Sequence, residues 1–140
     1  MELDRSIALT IYTFSKPNIQ NQLNVVYISG QGVIKAIILA LYFLKNQLFR
    51  RYDLIQAFWG FPSGKITVIL GNIFSLLSVV TLMGGETAAL PQVNYGVLSN
   101  KKGIKKVAVL LDQPSAVIAI SECQIDHLRL YGISSNSDYR

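Results

Sequence analysis

The chain has 140 residues, 51% of them apolar and 15% charged, with a net charge of +5 and one cysteine, Cys123. That length suits one domain with a real core, and a lone cysteine excludes an internal disulfide or a cysteine-built metal framework. It fits a reducing compartment, cytoplasmic or nuclear, while the basic balance favours an anionic partner, nucleic acid or a membrane surface.

The opening "MELDRSIALTIYTF" is acidic at its start and lacks a charged-then-apolar leader, so no secretory signal is expected. Within it, "SIALTIYTF" (6–14) alternates like a strand. "KPNIQNQ" reads as a connector, and "LNVVYISG" (23–30) as a second strand closed by Ser-Gly. Residues 33–51 predict a helix, because Ile34, Ile37, Ile38, Leu41, Leu44 and Leu48 recur at helical spacing. Basic residues gather at its C-terminal end, where the helix dipole favours them. "YDLIQAFWG" (52–60) predicts the next strand and "FPSG" a turn.

"ITVILGNIFSLLSVVTLMGG" (66–85) runs twenty residues without a charge. It predicts a second helix, with Asn72, Ser75 and Ser78 as a thin polar stripe. It is also long enough to cross a bilayer, an alternative set second because the flanks are strand-like. Beyond it, "PQVNYGVL" (91–98) and "KKVAVLLD" (105–112) flank "SNKKGI" as a hairpin. "PSAVIAISE" and "CQIDHLRLYG" suggest one more hairpin or a bent strand, and "ISSNSDYR" a tail. The order β-β-α-β-α-β-β with a β-rich end predicts a two-layer α/β sandwich in a single domain, 1–140. Its two apolar helices carry more apolar surface than one sheet face covers, which predicts dimerisation.

Signals for catalysis are weak. "GFPSGK" (60–65) is one residue short of a phosphate-binding loop, and Ile66 stands where a hydroxyl would hold magnesium. Cys123 and His127 lie four apart, too few for a zinc shell and without a third group to orient a nucleophile. Asp53, Asp112, Glu122 and Asp126 show no shared-face spacing for an acid/base pair. No enzyme and no cofactor are expected. The strongest local signal is basic: Lys101, Lys102, Lys105 and Lys106 fall within six positions around one glycine. They are either edge-strand guards at a solvated hairpin tip or an arm that reaches phosphates. Lys35, Lys45, Arg50, Arg51 and Lys65 add charge near element ends.

Three stretches taken together resemble the Alba superfamily. "NVVYISGQGVIKAIILAL" (24–41) is similar to its opening strand and first helix, "YDLIQAFWGFPSGK" (52–65) to its second strand and loop, and "LPQVNYGVLSN" (90–100) to its third strand. The lysine-rich turn then falls where the family carries a β-hairpin arm. The resemblance covers about 24–112, leaving an N-terminal extension, 1–23, and a β-rich C-terminal one, 113–140. It implies a β-α-β-α-β-β core that dimerises, with itself or with an Alba-like paralogue, and binds RNA or DNA without catalysis. Relatives include chromatin proteins and paired subunits of ribonucleoproteins such as ribonuclease P. The loop lysines usual after the first strand are replaced by Gly30 and Gln31, leaving Lys35 as the nearest cation. In the second loop Trp59 and Phe61 flank Gly60, and Lys65 keeps its place. The two aromatics suit either base stacking or a dimer seam. The expected nucleic-acid contacts are therefore Lys35, Trp59, Phe61, Lys65, Lys101, Lys102, Lys105 and Lys106, with RNA slightly preferred. The alternatives are a structural subunit of a large assembly and a single-span membrane protein.

Overall fold

The computed structural model describes residues 8–16, 24–93 and 95–134, and the chain divides into two units, Met1–Arg51 and Tyr52–Arg140. Residues 6 and 7 of the first predicted strand, most of the connector after it and most of the C-terminal tail lie outside the described residues.

In the first unit, two β-branched runs form strands β1 (Thr10–Thr13) and β2 (Asn24–Tyr27), paired in parallel with Thr10 opposite Asn24. Helix α1 (Gly32–Arg50) follows and matches its predicted bounds to within a residue. Phe43 is its buried anchor, with the Tyr12 ring 6.3 Å away. The Tyr12 hydroxyl accepts a hydrogen bond from Asn46 Nδ2 at 2.7 Å, and Lys35 Nζ lies 5.5 Å above the Phe14 ring. Val33, Ile34, Ile37, Leu41, Leu48 and Phe49 are exposed.

The second unit alternates strand and helix: β3 (Leu54–Phe58), α2 (Lys65–Phe74), β4 (Leu77–Leu82), α3 (Lys101–Leu111), β5 (Ala116–Ala119) and α4 (Glu122–Leu130). The strands form one parallel sheet in the order β3-β4-β5. Parallel neighbours cannot be joined by a tight turn and need a crossover; α2 lies in the first crossover and α3 in the second. Central β4 is covered on both faces, so its buried residues run on without strict alternation: Ser78, Val80, Thr81 and Leu82. The core gathers Val68 from α2, Val80 and Leu82 from β4, Val107 and Leu111 from α3, Val117 from β5 and Leu128 from α4.

Four sequence expectations are corrected here. Residues 66–85 are not one helix. Ser75 takes a left-handed conformation (φ 54°), its N–H bonds Gly71 O, and the β-branched run after it becomes β4. The proposed membrane span at 66–85 falls with that helix. Among the described residues one helix is long and apolar enough to cross a membrane, by length and composition, and it is α1. The predicted hairpin over 91–112 is absent as well. Pro91–Val93 and Val97–Ser99 are short helical turns, and the lysine cluster opens helix α3. Asn100 caps it, Oδ1 accepting from the Gly103 N–H at 2.9 Å, the usual role of asparagine there. Ile104, Val107 and Leu111 then recur on one face, toward the core. Gly103 is required because a Cβ there would come 1.7 Å from the Val97 carbonyl oxygen. Finally, the C-terminal stretch is not wholly β: β5 is followed by helix α4. The class is α/β, but the second unit reads β-α-β-α-β-α in place of a core ending β-β.

Candidate functional site

The C-terminal ends of parallel strands are where open α/β sheets place their ligands, and here the loops after β3 and β4 meet. After β3 the chain enters the turn Gly60–Gly64 and then α2. Trp59, at φ 76°, occupies a region bulky residues rarely adopt. Its N–H donates to Thr81 O at 3.0 Å and its carbonyl accepts from the Gly64 N–H at 3.0 Å. The Ser63 hydroxyl donates to the carbonyls of Phe58 and Trp59, at 2.6 and 3.0 Å. This network leaves the indole half exposed.

After β4, Gly84-Gly85 delivers Glu86 to the same place. Glu86 is only 4% exposed. Its Oε1 accepts from the Gly60 N–H at 2.6 Å. Oε2 is closed to solvent and has no hydrogen-bond partner among the described residues. Tyr95 is set opposite by paired backbone bonds with Leu90, at 2.9 and 3.1 Å. Trp59, Phe61, Gly85, Glu86, Tyr95 and their neighbours line a recess of about 300 Å³.

Beside it runs a groove of about 320 Å³ lined by Lys65, Lys102, Lys105, Lys106, Phe61, Val109, Leu110 and Gln113. Residues 102, 105, 106, 109 and 113 follow helical spacing, so helix formation is what collects these lysines on one side. Lys106 Nζ stands 4.1 Å above the Phe61 ring, a favourable cation–π position. Among the described residues no carboxylate lines the groove. Four cations around one concavity raise its potential and draw an anion to it. Phe61 lines both cavities.

Of the residues singled out by sequence, Phe61, Lys65, Lys102, Lys105 and Lys106 come together at the groove, and Trp59 lines the recess. Lys101 opens α3 without lining the groove. Lys35 belongs to the other unit. Sequence reasoning misses Glu86, Gly85 and Tyr95; the one signal for them is an isolated acid directly after Gly-Gly at the close of a long uncharged run. "GFPSGK" does occupy the strand–turn–helix position of a phosphate loop, one residue short and with Ile66 in place of a hydroxyl. Cys123 and His127 share α4 and not a strand. Cys123 is exposed, and His127 Nδ1–H donates to the Thr87 carbonyl at 2.6 Å. Among the described residues no group of three or more His, Cys, Asp or Glu could hold a metal.

No protein-family model matches the chain, and no curated protein matches it.

Proposed function

We propose that the protein binds single-stranded nucleic acid, RNA in preference to DNA, without catalysis. The observation that supports this is the groove that Lys65, Lys102, Lys105 and Lys106 line together with Phe61, whose ring lies under Lys106 Nζ. Lysines neutralise backbone phosphates, and exposed aromatic faces accept unpaired bases; together they are the means by which single strands are held. Trp59 and Tyr95, both about half exposed beside the groove, extend the stacking surface. What the groove offers is charge beside an apolar wall, with the Trp59 and Tyr95 rings next to it, and these bind a ligand and do not transform it. The basic element is a helix side and not the hairpin arm that the Alba resemblance implies, so the proposal stands on the groove itself.

Fluorescence anisotropy of a labelled oligouridine across a salt series tests it. The parent should bind, with log affinity falling linearly in log salt. Replacing Lys102, Lys105 and Lys106 with alanine should weaken binding and flatten that slope by about 0.7 for each phosphate no longer neutralised. Equal affinity and equal slope in parent and variant would refute the proposal.

A further inference from the structure

Helix α1 is held on one side only. Phe43 is buried beside the Tyr12 ring, and Asn46 Nδ2 donates to the Tyr12 hydroxyl at 2.7 Å. On the opposite side Ile34, Ile37, Leu41, Leu44 and Leu48 are between 39% and 71% exposed. At 3.6 residues per turn these five fall within about 80° of arc and form an apolar row about 21 Å long. Such a row calls for a cover other than water. The charge around it has one sign: residues 5–52 hold six basic residues and no acid. Three of the six, Lys45, Arg50 and Arg51, fall in the last two turns of the helix or directly after it.

We infer that α1 lies lengthwise on an anionic membrane surface, its apolar row among the acyl chains and its basic residues among the lipid headgroups. An apolar row flanked by cations, with no carboxylate near it in sequence, is the complement of that interface. Lys45 falls at the edge of the row, so its alkyl stem can follow the apolar side chains while its ammonium reaches the headgroups. The helix does not cross the bilayer. Its longest charge-free stretch, 36–44, is nine residues, less than half of the roughly 20 that a span needs, and Tyr12 occupies its other side. A second copy of α1 covers the row in water, but it sets Lys45 and Arg50 against like charges with no acid to answer them. Anionic lipid covers the same row and neutralises those charges, so the surface prevails where both are offered. The inference is independent of the RNA-binding role proposed above, which stands on the second unit.

Flotation of the full chain with lipid vesicles tests it. The protein should float with phosphatidylcholine containing about 30% phosphatidylserine, and stay in the dense fraction with phosphatidylcholine alone. The floating fraction should fall as salt is raised. Replacing Lys45, Arg50 and Arg51 with glutamine should weaken partition about fivefold per charge. Ile37→Ser with Leu41→Ser, which removes apolar surface and adds no charge, should weaken it about tenfold. All five residues are exposed, and circular dichroism checks the fold; should one variant misfold, the other decides. Replacing Lys102, Lys105 and Lys106 with alanine should change flotation far less. Equal partition into neutral and anionic vesicles, flotation that survives the α1 variants, or flotation lost with the groove lysines instead overturns the inference. Absence of flotation overturns it as well, and heavier species in water would then identify a second copy as the cover. Retention on the vesicles after alkaline carbonate also overturns it, because only a crossing helix stays.

Discussion

Lys106 and Lys101 are five positions apart on α3 and should behave differently. Lys106 stands over Phe61 and lines the groove, whereas Lys101 does not line it. If the groove holds the strand, Lys106→Ala should weaken RNA binding about fivefold and flatten the salt slope. Lys101→Ala should change affinity much less. Equal losses in an anisotropy titration would mean that general charge is at work and not the groove. Gly96 supports the recess in another way. It has φ 89°, and a Cβ there would fall 2.1 Å from the Ala88 carbonyl oxygen. Gly96→Ala should cost about 2 kcal/mol or more, read as a lowered urea midpoint, and should loosen the Tyr95 wall.

At the scale of elements, the α3 N-terminus gives the clearest check on the fold. Asn100→Ala removes the cap to Gly103 and should cost about 1 kcal/mol by urea unfolding; a hairpin over the same residues would show no such loss. Leu111→Ala, on the fully buried side, should cost about 2–5 kcal/mol. The helix was legible in the spacing of Ile104, Val107 and Leu111 after an asparagine, but its β-branched residues and central glycine suit a strand and turn equally well. Over 66–82 the difficulty was the reverse. An unbroken apolar run looks alike whether it is a buried helix or a buried parallel strand, and only the left-handed Ser75 divides α2 from β4. By contrast α1 and β3 lay where their patterns put them. One carries a long helical period, and the other is a short apolar run ending in aromatics before a turn that holds Pro62 and Gly64.

For the molecule as a whole, the apolar face of α1 has a consequence. Ile37 and Leu41 are 54% and 60% exposed, and large exposed apolar patches drive association. Sedimentation at micromolar concentration should show species heavier than the 15.5 kDa chain. Ile37→Lys with Leu41→Lys should return it to a monomer; a parent that is already monomeric would show that this face does not self-associate. Composition and periodicity were enough to determine a basic, apolar α/β chain with a long first helix and its positive charge concentrated near residues 101–106, since these are properties of local spacing. Which residues form the site was decided only by tertiary structure. Glu86 lies more than twenty residues from both Gly60 and Lys65 in sequence, and it reaches Gly60 because β3 and β4 pair in parallel and end on the same side. Lysines that read as a flexible tip became one wall of a groove because α3 buries its other side on the sheet. Pairing and burial join residues distant in sequence, and no local pattern records which of them will meet.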